Sequence, residues 1–428
     1  MTTVPDEETL AGADAPDRPG PTVSDLGSFN PFGEHSRAAY EYFELARRER
    51  PVFYSEALGA WCVTRFADIR AMTLDPATYS SAEVFRKPTG LPEIAQRVCD
   101  FYADNGTVTT LDPPAHGPIR RGLHESFSPR AIAGYEPTVR TIIGRRVDAI
   151  DAAGGRFDLV SQFSTVFPLA VVLGVIGLPE EDLGTVRRWA EGIVTLYLGH
   201  GFMTAEEQEA LGADLWNAVQ YYLDLVERRA ADPGEDLVSY MIHNEVGGRL
   251  LTPGQIANNV FNLVAAGNET TGSALTNIMV ALLSEPGRWA ALARGELDLP
   301  TVIAEGLRLD APVVGLFRTA TREVALGDVT IGAGDKVLLL YGSGNHDETV
   351  ADEPGRFRLD RRGRVSLTFG HGMHNCVGAP LARLELRTAL ELLANRFPDL
   401  RLASGGPLEY KPLAQVRTPA ELWLTTGA

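Results

Sequence analysis

The stretch Phe369-Gly370-His371-Gly372-Met373-His374-Asn375-Cys376-Val377-Gly378 decides how this chain is read. One cysteine sits among closely spaced glycines, with an aromatic ahead and a helical pattern starting at Ala379-Pro380-Leu381 behind. A metal-ligating thiolate must be ionised, and ionisation is favoured where backbone N–H groups and a helix N-terminus converge. Proline suits the first helical positions. Gly372 and Gly378 allow tight turns and close approach of the backbone to a flat ligand. The stretch therefore reads as a thiolate loop beneath a haem. The alternatives are a buried structural cysteine and a glycine-rich turn without chemistry.

Working outward, 428 residues with 44% hydrophobic content can bury a large core. The cysteines Cys62, Cys99 and Cys376 are too few and too scattered for a disulfide framework or a four-ligand zinc site, which suits a reducing cytoplasm. Residues 1–28 read as a disordered acidic tail rich in Pro and Gly, with neither the basic start nor the apolar run of a signal peptide. The domain is expected over 29–428. The longest apolar run, Val166 to Leu178, is shorter than the ~18 to 20 residues that cross a bilayer and carries Pro168, so no membrane span is expected. A formal charge of −17 argues against nucleic acid as a partner.

Helical periodicity covers Ala38 to Arg48, Ala131 to Ala152, Ala205 to Ala231, Gln255 to Leu283, Thr301 to Leu309 and Pro380 to Arg396. Strand patterns are short: a hairpin over Tyr54 to Thr64 around Leu58-Gly59, and paired strands over Glu323 to Leu340 turning at Gly332-Ala333-Gly334. The fold class is mainly α with a minor β region, in a single domain. The Gly332-x-Gly334 pair lacks a third glycine and a following helix, so it reads as a turn and not a nucleotide site.

Two constellations stand out from the helical background. In Ala265-Ala266-Gly267-Asn268-Glu269-Thr270-Thr271, polar residues interrupt an otherwise apolar helix, where they are costly unless hydrogen-bonded or functional. A Thr hydroxyl bonded back to the carbonyl one turn earlier is the plain alternative. In Glu305-Gly306-Leu307-Arg308-Leu309, an acid and a base one turn apart lie among apolar neighbours, with Arg356 in the later segment Pro354 to Phe357. The remaining histidines (His35, His124, His200, His243, His346 and His371) show no metal-ligand spacing.

The spacing Phe-x-x-Gly-x-His-x-Cys-x-Gly resembles the signature of the cytochrome P450 family, the haem-thiolate monooxygenases, at every fixed position, and the resemblance extends over about Pro31 to Leu424. It implies the family fold, haem b as cofactor, and Cys376 as the iron ligand in a loop that includes Phe369, Gly370, His374 and Gly378. Ala266-Gly267-x-Glu269-Thr270 resembles the family's oxygen-activation motif; Glu269 is then the proton relay and Thr270 its hydroxyl partner, in a helix locally opened to hold water. Asp112-Pro113-Pro114-Ala115-His116-Gly117-Pro118-Ile119-Arg120 is similar to the family's propionate-binding run, despite Pro118. His116, Arg120, Arg318 and His374 are thereby expected on the propionates. Glu305, Arg308 and Arg356 resemble the family's structural Glu-Arg-Arg cluster.

The expected pocket takes Asn262, on the same helix stripe as Ala266 and Thr270, with Ala265, Val314 and Leu316. It also draws on Ser81 to Thr110 (Val84, Phe85, Leu91, Phe101, Tyr102) and on Leu196 to Met203, including Phe202. The implied reaction is insertion of one oxygen atom from O2 into a mainly apolar small organic substrate, by hydroxylation, epoxidation or O-dealkylation. Electrons come from a two-iron ferredoxin and a flavoprotein NAD(P)H reductase docking near Arg121, Arg383 and Arg387; the chain is a cytoplasmic monomer. The rival readings are a peroxide-using peroxygenase and a non-catalytic haem sensor.

Overall fold

The computed structural model describes residues 20–243, 251–361, 363, 365–403, 406, 408–411 and 416–426. Helices dominate: α1 (Ala39–Glu49), α2 (Phe66–Thr73), α3 (Glu93–Asn105), α4 (His116–His124), α5 (Pro129–Ala153), α6 (Phe167–Ile176), α7 (Leu183–Leu198), α8 (Ala205–Ala231) and α9 (Leu237–His243). After these come α10 (Pro253–Leu283), α11 (Arg288–Ala293), α12 (Leu299–Leu309), α13 (Tyr341–Gly344) and α14 (Ala379–Arg396). The strands are β1 (Val52–Ser55), β2 (Ala60–Val63), β3 (Tyr79–Ser80), β4 (Arg156–Asp158), β5 (Leu316–Ala320), β6 (Val324–Leu326), β7 (Val329–Ile331), β8 (Lys336–Leu339), β9 (Arg401–Leu402) and β10 (Trp423–Thr425).

The long helix α10 is the axis of the molecule, and its start is written in the sequence. Thr252 Oγ1 accepts from Gln255 N at 3.2 Å while Gln255 Oε1 accepts from Thr252 N at 3.0 Å, with Pro253 in the first turn. Val260, Phe261, Val264, Leu275, Ile278 and Met279 are all buried, because α10 is enclosed by α6, α7, α8, α12 and α14. Gly272 permits the tightest crossing: a Cβ there would fall 1.9 Å from the Ser164 carbonyl. The main hydrophobic core forms around this helix, and smaller cores lie against the sheet.

The largest sheet has the order β1-β2-β8-β5-β3, with β2 and β8 parallel and Cys62 opposite Leu338. The hairpin around Leu58-Gly59 forms as read. The second expected hairpin does not: β6 and β7 turn at Gly327, while β8 leaves after Gly334 to enter the large sheet against β5. The apolar run at 166–178 is α6, and Pro168 sits in its first turn, where no N–H is needed. No helix among the described residues is long and apolar enough to cross a membrane.

Regular structure is present ahead of residue 29. Val23–Ser28 forms a 3₁₀ turn that buries Leu26 beside Phe29, so apolar burial overrides the polar composition there. Residues 1–19 of the expected tail lie outside the described residues.

Candidate active site

Cys376 and Thr270 line one cavity of about 590 Å³, between α10 and the loop that leads into α14. The loop is shaped by its backbone. Cys376 N donates to Phe369 O at 2.8 Å, and Gly370 and Gly372 adopt φ of 70° and 71°. Gly372 is doubly required, since a Cβ there would lie 2.4 Å from the Thr73 carbonyl. Gly378 has an ordinary negative φ of −79°, so the turn does not demand it; its N–H instead points at the sulfur. Burial pushes the Cys376 thiol up, while the N–H groups of Gly378 and Ala379 and the charges of Arg120 and Arg383 pull it down. Cys62 and Cys99, by contrast, lie in hydrophobic cores.

Across the cavity, Ala266, Gly267, Glu269 and Thr270 all contribute to its lining. The expected opening of the helix is not seen: α10 runs unbroken, and Thr270 Oγ1 donates to the Ala266 carbonyl at 2.7 Å. That bond spends the hydroxyl proton and leaves the oxygen lone pairs facing the cavity as acceptors. Burial raises the Glu269 carboxyl above its ordinary range, Glu191 adds to the rise, and Lys411 opposes it. A carboxyl raised in this way is better able to hold and hand over a proton at neutral pH.

Four nitrogen-bearing side chains converge at one edge. Arg120 Nη1 donates to Asn375 O at 2.6 Å, Arg318 Nη1 to Phe317 O at 2.7 Å, and His374 Nδ1 lies 3.3 Å from Val108 O. The His116 and His374 rings meet edge to face at 4.6 Å. Neither arginine forms an ion pair among the described residues, and both histidine Nε2 atoms are buried without a partner. Orphaned donors at this density are costly unless an anion fills the gap. Two carboxylates on a flat ligand lying over Cys376 would satisfy them, so the residues present fit haem b.

The buried charge cluster differs from expectation in one member. Glu305 takes both Arg308 nitrogens, Nε at 2.9 Å and Nη2 at 2.8 Å, and the Arg358 N–H at 2.9 Å. Its second cation, and the third member of the cluster, is Arg361, whose Nε lies 2.9 Å away. Arg356, expected there, turns its side chain to solvent to meet Glu353 at 3.1 Å and gives the cluster only its carbonyl. Burial alone would raise Glu305; Arg308, the Arg358 N–H and Arg361 together hold it below the usual range.

Of the expected pocket residues, Asn262, Ala265 and Leu316 line the cavity. Val314 does not: it is buried in the core with Phe29, Phe43 and Leu338, and the preceding Val313 takes its place in the wall. Val313 lies ahead of β5, bridged to Val416, and so does not follow the parity by which Leu316 and Arg318 line the cavity. Val84, Phe85 and Tyr102 line the cavity, whereas Leu91 and Phe101 pack into the core beside it. Phe202 is 96% exposed, and Val194, Tyr197 and Leu198 of α7 form that side of the wall. Glu385 of α14 also borders the cavity, buried at 2% exposure with Oε2 unpartnered; only its place in a helical apolar pattern hinted at this burial. On the opposite surface, Arg387 of the expected docking face is tied to Glu136 at 2.7 Å and Arg383 lies over the Phe369 ring at 4.4 Å.

A family model described as cytochrome P450 matches residues 299–409, which span α12, β5 to β8, the cysteine loop and α14. Cyclomarin C epoxidase CymV of Salinispora arenicola is 34% identical over 388 residues, covering 90% of this chain and 95% of the relative. Erythromycin C-12 hydroxylase of Saccharopolyspora erythraea is 34% identical over 367 residues, covering 85% and 88%. Among solved structures, cytochrome P450 CYP109Q5 from Chondromyces apiculatus superposes with a TM-score of 0.82 at 29% identity, covering 94% of this chain and 98% of that one.

Proposed function

Because the chain belongs to the cytochrome P450 family and is a haem b monooxygenase, we propose that Cys376 would hold the haem iron, that Glu269 holds and hands over a proton on the α10 side of the cavity, and that Thr270 orients its acceptor there. The observation that carries this is the placement of Cys376, Thr270 and the raised Glu269 carboxyl on one cavity. Haem b, when bound, supplies oxygen binding and the oxidising power for insertion. The chain supplies the rest. The N–H groups of Gly378 and Ala379 stabilise negative charge on the sulfur, and His116, Arg120, Arg318 and His374 fix the propionates. Thr270, its proton given to Ala266 O, accepts a hydrogen bond from water or from a protonated oxygen and holds it within reach of Glu269.

The substrate is a mainly apolar organic molecule, since the wall is built from Val84, Phe85, Ile193, Leu198, Leu263 and Leu316 with few polar groups among them. Electrons come from a separate cytoplasmic ferredoxin and its flavoprotein reductase. In support, the glycine pair that could suggest a nucleotide loop is a turn, with Gly332 N donating to Asp335 Oδ2 at 2.8 Å. Arg121 and Arg383 remain for a docking face near the cysteine loop. Thr270→Ala tests the assignment: substrate affinity stays unchanged while product formed per NAD(P)H falls by about tenfold or more, with peroxide making up the difference. Unchanged coupling removes Thr270 from proton delivery.

A further inference from the structure

Besides the polar groups already described at Glu269, Thr270, Glu385 and around the cysteine loop, the cavity wall is polar where α10 meets the segment after α3. Three asparagines of α10 make that junction. Asn258 Nδ2 donates to Tyr102 O at 3.0 Å and Gly106 O at 3.2 Å; Asn259 accepts from Val108 N at 2.9 Å and donates to Gly106 O at 3.2 Å. Both side chains are fully buried, and every hydrogen bond they make is to backbone, with Asn258 Oδ1 left unpartnered. Asn262, one turn on, differs. Its Nδ2 meets a side chain, Thr109 Oγ1 at 3.3 Å, and both residues line the cavity.

The hydrogen count of this pair gives it a chemical sense. An amide has two N–H hydrogens and a hydroxyl one, and a single internal bond leaves two donor hydrogens over beside the oxygens' lone pairs, whichever way the amide is turned; buried oxygens with lone pairs to spare are tolerated better than buried unpaired N–H groups. The cavity thus presents surplus donors at this fixed place, held there by the Asn258 and Asn259 contacts to the backbone just ahead of Thr109. Left unmatched in a desolvated complex, those donors are penalised.

We infer that Asn262 and Thr109 form a specificity site that recognises an acceptor oxygen, a carbonyl or ether, on an otherwise apolar substrate. Resting on the monooxygenase reading, the inference also fixes a distance. Ala266 and Thr270 lie one and two turns from Asn262, so the acceptor oxygen sits about 6 to 12 Å along the helix from the place of oxidation. The substrate class is therefore an extended apolar body with a carbonyl or ether at one end, oxidised at carbons remote from it and not at the adjacent methylene.

The test uses the haem-loaded enzyme and a matched pair of probes, 2-dodecanone and dodecane, with affinity read by calorimetry. Wild type is expected to prefer the ketone by about three- to tenfold. Asn262→Leu abolishes that preference and tightens dodecane; Thr109→Val weakens the preference, and Thr109→Ser, which keeps the hydroxyl, restores it. Hydroxylated products of 2-dodecanone should carry oxygen away from the carbonyl end. Equal affinity for both probes in wild type, no binding of the ketone, parallel loss of both probes in Asn262→Leu, or oxidation beside the carbonyl overturns the inference. A protein that holds haem and oxidises dodecane as readily as the ketone overturns it alone; one that binds the ketone selectively but oxidises neither probe overturns the monooxygenase reading instead.

Discussion

Arg361 and Arg356 separate the sequence pattern from the folded geometry, and removing each in turn gives sharply different outcomes. Arg361 is nearly buried, its side chain 8% exposed, and donates to Glu305 and to the carbonyls of Asp352, Glu353 and Arg356. Truncating it to alanine leaves Glu305, 3% exposed, with Arg308 as its only side-chain cation and strips three carbonyls of a donor. Breaking a buried, hydrogen-bonded ion pair costs about 3 to 5 kcal/mol, and the surviving Arg308 bonds place Arg361→Ala near the lower figure, about 3 kcal/mol. Arg356→Ala removes one exposed ion pair and is expected to cost no more than about 0.5 kcal/mol. Urea unfolding of the haem-loaded variants, compared by midpoint at unchanged slope, reads the difference directly. Equal midpoints for the two variants, or a larger loss from Arg356→Ala, would refute the assignment of Arg361 as the third member of the cluster.

Three further outcomes follow from buried groups. His346 is held neutral, its pKa pushed down to about 4 by burial despite the bond to Leu309 O at 2.7 Å. The unfolded chain takes up that proton first, so stability falls as pH drops from about 6.5 to about 4, by about 3 kcal/mol in all, and His346→Gln should flatten this slope in urea titrations. Burial holds the Glu385 carboxyl well above its ordinary value without a partner. Its cost therefore grows as pH rises past the normal carboxylate range, and Glu385→Leu should gain about 1 to 3 kcal/mol at pH 7 and less at pH 4; a loss in thermal melts at both pH values contradicts this. Gly372→Ala sets a Cβ against the Thr73 carbonyl at a positive φ; a strain of about 1 to 3 kcal/mol in the ligand loop should cut haem incorporation, and wild-type loading would deny the constraint.

Periodicity located the long elements because their apolar faces and caps lie close together in the chain. The Ala205–Ala231 helix matches to the residue, with Thr204 and Glu207 bonding reciprocally at its start. The cysteine loop was legible for the same reason, since its glycines, aromatic and thiol are all local. What escaped was set by contacts distant in sequence. Nothing near Arg356 or Arg361 shows which of them folds back on Glu305, because that depends on a turn near Glu353, whose φ is +44°. The wall position falls to Val313 and not Val314 ahead of β5, where Val313 bridges Val416, a partner far along the chain. Thr109 carries no signal of its own; its role emerges once Asn258 and Asn259 draw its segment onto α10.

The central claim is that the Cys376 thiolate holds haem iron in a cavity that Thr270 and Glu269 also line. The reduced carbon monoxide difference spectrum of the purified protein, beside that of Cys376→Ser, tests it most directly. A red-shifted Soret band in wild type that vanishes in the variant is the expected result. Absence of the band from haem-loaded wild type, or its survival in Cys376→Ser, would place the ligand elsewhere.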